Sequence, residues 1–188
     1  MKKVTVLIVA VIGIALVGIE ADIVNAADER PVYFKTPIKF KGTGCPTGSY
    51  TVSGEHTDTI TIMFDQYDAA KPKDNAASRM MRTACNFVVP VHVSQGLQVS
   101  TITAVWKGYS EGKTKLHREY FLLGPRRALI DIPEGDYILR DNLTHTWANS
   151  CRGGTLPIRI STSVRTVSKP NHISLDKLTF KIKWRKCR

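Results

Sequence analysis

The chain has 188 residues, 43% of them hydrophobic, and 27 Lys+Arg against 16 Asp+Glu leave a net charge of +11. That length and composition suit a globular chain with a real core and exclude a disordered or low-complexity one. It contains no G-x-S-x-G, no H-E-x-x-H and no phosphate-cradling glycine loop, so the common hydrolase, zinc-protease and nucleotide-binding motifs are missing.

At the N-terminus, Lys2 and Lys3 precede an apolar run from Val4 to Ile19, and Glu20 and Asp22 close it. A charged start and a short apolar stretch form an export signal, and the run is slightly short for the ~20 residues a membrane-crossing helix needs. Val24 and Ala26 occupy the −3 and −1 positions of a cut before Ala27. The expected organisation is therefore a signal peptide over residues 1–26 and a single domain over 27–188, secreted or periplasmic. No cysteine follows the apolar run to accept a lipid, and no later segment is apolar enough to span a membrane.

Period-two alternation then predicts strands in chain order. Thr59–Phe64 points Ile60, Ile62 and Phe64 inward, and Phe87–Val93 points Phe87, Val89, Val91 and Val93 inward. Pro90 cannot donate to a ladder, which predicts an edge or a bulge there. Further strands are expected over Val99–Trp106, Leu116–Leu122, Tyr137–Leu143 and Leu156–Val164. A last one over Lys177–Arg185 has Leu178, Phe180, Ile182 and Trp184 inward. The polar stretch Lys71–Thr83 is the one helical candidate. Seven to nine short strands separated by turns predict an all-β, two-sheet antiparallel β-sandwich. Cys45, Cys85, Cys151 and Cys187 lie more than 30 residues apart, which disfavours a zinc site and predicts two disulfides. Pairing Cys45 with Cys85 and Cys151 with Cys187 is favoured over the two alternatives because it encloses separate segments.

Several of these segments carry a resemblance. Gly44-Cys45-Pro46-Thr47-Gly48-Ser49, Phe64-Asp65, Cys85-Asn86-Phe87, Trp106-Lys107-Gly108-Tyr109, Thr146 to Cys151 and Trp184-Arg185-Lys186-Cys187 resemble the DUF4360 family of small secreted proteins. The resemblance covers Lys41 to Cys187. It implies an exported, disulfide-bonded domain of unknown function and transfers no catalytic residue.

The charge is uneven. Ala27 to Val105 holds 8 basic and 7 acidic residues, while Trp106 to Arg188 holds 17 and 7. Alternation places Arg159 and Arg165 on the solvent face of one strand and Lys181, Lys183 and Arg185 on that of another. If those strands pair, the five residues form a basic stripe. Such a field attracts an anionic polymer or surface, which makes a non-catalytic binder of an envelope or matrix component the leading expectation. The competing account is that outward lysines keep an exported sandwich soluble and its edges unpaired. A secreted effector or inhibitor that recognises a protein partner through its loops is the alternative function, and a hydrolase ranks third. Nucleic acid is disfavoured by the absence of its usual motifs.

No cofactor is implied. His56, His92, His117, His145 and His172 are each alone in their segments. Asp65, Asp68 and Asp74, and likewise Asp131, Glu134 and Asp136, share loops without EF-hand spacing. Trp106, Trp147 and Trp184 are expected in the core beside the disulfides rather than on sugar, and Asn142-Leu143-Thr144 is a glycosylation sequon.

Overall fold

The structure, a computed structural model, describes residues 30–71, 81–121, 125–144, 151–167 and 171–187. Among them are thirteen strands and no α-helix. They are β1 (Val32–Phe34), β2 (Lys39–Lys41), β3 (Tyr50–Ser53), β4 (Thr59–Phe64), β5 (Asp68–Lys71), β6 (Arg82–Val93) and β7 (Leu97–Glu111). They continue with β8 (Thr114–Phe121), β9 (Pro125–Ile132), β10 (Gly135–Thr144), β11 (Gly154–Thr166), β12 (Asn171–Ser174) and β13 (Lys177–Lys186).

Two antiparallel sheets result. The first runs β1-β6-β11-β8-β9, with β2 also paired to β6, and the second runs β3-β4-β13-β7-β12-β5, with β10 on the other flank of β7. The all-β, two-sheet architecture is the one expected from alternation. More strands exist than expected because three- and four-residue segments such as β1, β2 and β5 are too short to show a period. Of the helical candidate, Lys71 closes β5, Arg82 and Thr83 open β6, and residues 72–80 lie outside the described residues.

The inward sets follow the alternation. Ile60, Ile62, Phe64, Phe87, Val89, Val91, Val93, Ile158, Ile160, Val164, Leu178, Phe180 and Ile182 are all buried between the sheets. Two expectations need correction. β6 is an interior strand, not an edge, and its register with β11 runs unbroken. Pro90 is tolerated there because the strand on its other flank is split. It falls between the Phe34↔Val91 and Lys39↔Val88 pairs, and its carbonyl accepts from the Lys35 amide at 2.8 Å, so the missing donor faces the break between β1 and β2. Trp184 is not a core residue. A register shift at Lys183/Trp184 interrupts the β13–β7 ladder, and Trp184 beyond it is 43% exposed; a bulge of this kind re-aims side chains.

The Gly44 to Ser49 motif has a local reason. A Cβ on Gly44 would sit 2.2 Å from the ring of buried Tyr67, and Ser49 Oγ donates to the Pro46 carbonyl at 2.8 Å to close the turn. Cys45 is joined to Cys85 and Cys151 to Cys187. Next to the first disulfide, Phe40, Tyr50, Phe64, Tyr67 and Phe87 form an aromatic cluster with centroids 3.8–6.5 Å apart.

A polar network ties the sheets together at the other side. Arg118 of β8 donates to both carboxylate oxygens of Asp141 on β10, at 2.7 and 2.9 Å. Tyr120 Oη donates to Asp141 at 2.6 Å, and the Trp106 indole N–H is shared between Tyr120 Oη (2.7 Å) and Asp141 (3.1 Å). Burial pushes the hydroxyls of Tyr67, Tyr120 and Tyr137 well above the ordinary tyrosine range, and the charges of Asp141 and Asp176 add to this at Tyr120 and Tyr137 respectively.

This has a consequence at high pH. A group whose folded pKa is raised holds its proton more tightly when folded, so its contribution is fully present below the unfolded tyrosine pKa of about 10 and is lost as pH rises beyond it. The unfolding midpoint in urea is expected to stay level from pH 7 to about 9.5 and to fall above about 10. A midpoint that does not fall by pH 11.5 would contradict the role of these hydroxyls.

Candidate polyanion-binding face

The five basic residues expected to form one stripe do not. β11 belongs to the first sheet and β13 to the second, so Arg159 and Arg165 lie on one outer face and Lys181 and Lys183 on the other. β11 pairs with β6 and β8, not with β13, because its inner residues pack across the core against the second sheet instead of beside it. Arg159 is exposed between Val88 and Phe121, its register neighbours. Arg165 is half-buried between Arg82 and Lys115, and its Nε is buried without a hydrogen-bond partner.

The outer face of the second sheet is more coherent. Reading across the register, one row is Thr51, Met63, Lys177, Lys107 and Ile138, and the next is Ser53, Thr61, Thr179, Val105 and Arg140. Then come Thr59, Lys181, Thr103 and Asn142, followed by Lys183, Thr101 and Thr144. These rows contain Lys107, Arg140, Lys177, Lys181 and Lys183 and no carboxylate. Arg185 is exposed just beyond the bulge. Lys107 stands directly across from Lys177, a placement that costs stability in a sheet unless an anion offsets it. Threonine hydroxyls fill the spaces, with Thr61 and Thr179 3.2 Å apart and Thr103 donating to Asn142 at 3.0 Å. Lys107 and Arg140 had no signal in the sequence beyond their outward parity, because only the β10–β7–β13 order brings them to the same face.

Other sequence candidates disperse. His92 stacks on Tyr33 at 4.6 Å, Trp106 is fully buried in the inter-sheet network, and Tyr109 is 41% exposed. Asp74, His145 and Trp147 lie outside the described residues. Among the described residues no group of three or more His, Cys, Asp or Glu is placed to hold a metal ion, and no helix is long and apolar enough to cross a membrane.

Fold and surface together define a disulfide-bonded β-sandwich protein with a patch of basic side chains on the outer face of its second sheet. The profile of the DUF4360 family, a domain of unknown function, matches residues 36–187, and the chain belongs to that family. No curated protein sequence matches the chain. Among solved structures it is similar to TmCBM61 in complex with beta-1,4-galactotriose, with a TM-score of 0.36 and 10% identity over 81% of this chain and 90% of that one. At that distance nothing about function is read from the similarity.

Proposed function

We propose that the chain is exported behind a cleaved segment of residues 1–26 and that residues 27–188 act outside the cytoplasm as one disulfide-stapled, non-catalytic binder of an anionic envelope or matrix polymer. The single observation that supports this most is the set of rows carrying Lys107, Arg140, Lys177, Lys181 and Lys183 without a carboxylate. A flat sheet face of cations and hydroxyls offers charge-assisted hydrogen bonds to repeating phosphate, sulfate or carboxylate groups. Two disulfides and the N-terminal apolar run support the extracytoplasmic setting.

Reversal of Lys181, Lys183 and Arg185 to Glu tests the reading. Retention of the oxidised protein on teichoic acid, lipopolysaccharide or anionic vesicles is expected to be strong at 20 mM salt and weak at 500 mM. The triple variant is expected to lose it by more than about tenfold at low salt. Equal retention of wild type and variant would remove the basis of the proposal.

A further inference from the structure

A second surface, on the opposite side of the sandwich, has a different chemistry. On the outer face of the first sheet one register row reads Lys39, Val88, Arg159 and Phe121, across β2, β6, β11 and β8. The neighbouring row places Lys41 beside Asn86. These side chains line a groove of about 620 Å³, within the range of small-ligand sites. With neighbouring strands about 4.8 Å apart, Lys39 and Phe121 stand roughly 14 Å from each other.

The groove is amphipathic. Phe121, 43% exposed, is a large aromatic left uncovered at the end of β8, and Val88 extends the apolar strip. Lys39, Lys41 and Arg159 are exposed around it, and none of the three makes an ion pair among the described residues. The nearest carboxylate on this face, Glu119, is itself buried and 4.0 Å from His117.

From this arrangement we infer that the groove is a saccharide site for a polyuronate, a polysaccharide whose rings each carry a carboxylate. A sugar ring offers an apolar C–H face that fits Phe121 and Val88, and its carboxylate fits the Arg159 fork and the two lysine ammonium groups. A plain phosphate polymer has no face for Phe121. A nucleic-acid strand stacks on several exposed aromatics in succession, whereas among the described aromatics lining this groove Phe121 is exposed, Phe40 is half-buried and Phe87 is buried. The inference does not rest on the lysine face of the second sheet, which is on the far side of the core.

Calorimetric titration of the oxidised chain tests it. The probes are a galacturonate hexamer, a mannuronate hexamer, the methyl-esterified galacturonate hexamer and a dT oligonucleotide. At least one acidic hexamer is expected to bind, and esterification is expected to weaken binding at least about tenfold, since it keeps the ring and removes the charge. Phe121→Ala and Arg159→Ala are each expected to weaken it about tenfold. Circular dichroism and the melting midpoint show that each variant is folded. Arg159→Lys and Lys39→Gln, which leave the apolar strip untouched, give the same reading if Phe121→Ala does not fold. Binding of neither acidic hexamer, equal binding of the ester, or wild-type affinity in folded Phe121→Ala would each overturn the inference. So would tighter binding of the oligonucleotide that depends on Phe121.

Discussion

Asp141→Ala is expected to lower the unfolding free energy by about 3–5 kcal/mol, the range found when one partner of a buried ion pair is removed. Asp141 accepts two bonds from Arg118 and one each from Tyr120 and Trp106. The Arg118 side chain is only 4% exposed, and one of its terminal nitrogens already lacks a hydrogen-bond partner. Without the carboxylate, the guanidinium stays buried and uncompensated, Tyr120 loses its acceptor and Trp106 keeps only its bond to Tyr120 Oη. The strands joined here belong to different sheets, so the loss also loosens sheet against sheet. Urea unfolding followed by tryptophan fluorescence reads the effect directly. Replacing both partners, Asp141→Leu with Arg118→Leu, is expected to recover much of the loss because no unpaired charge remains. A single-variant loss below about 1 kcal/mol would show that solvent reaches Arg118.

The disulfides carry the second large effect. Removing Cys45–Cys85 or Cys151–Cys187 is expected to cost about 4 kcal/mol each by chain entropy, because their sequence separations of 40 and 36 residues are nearly equal. The burials differ, however. Cys45 and Cys85 are 3% and 0% exposed beside the aromatic cluster, whereas Cys151 is half-buried. Replacing the first pair with serine is therefore expected to cost more than replacing the second, since it also puts hydroxyls into an apolar core. On titration with a mild thiol reductant, Cys151–Cys187 is expected to open first. Peptide mapping after partial alkylation checks the order, and prior labelling of Cys45 and Cys85 would contradict it.

How far the sequence carried can be seen at particular residues. The inward parity of Thr59–Phe64, Phe87–Val93 and Leu156–Val164 was legible because one buried face imposes a strict period of two. The parity of Lys177–Arg185 held as far as Lys183 and failed at Trp184, since a register shift leaves no mark on the alternation of its own strand. Pro90 signalled a ladder defect correctly, but the defect proved to be a gap in the neighbouring strand. The short strands β2 and β12 gave no signal, having too few residues to repeat.

Composition and alternation, both properties of neighbouring residues, were enough to determine an all-β, disulfide-bonded chain with a basic surplus and strands of known inward face. Strand order was decided only in the tertiary structure, because pairing joins residues far apart in the chain and depends on how two whole sheets close over one core. That closure separates Arg159 and Arg165 from Lys181 and Lys183, lines up Lys107 and Arg140 with the lysines of β13, and brings Lys39 across Val88 to Arg159 and Phe121.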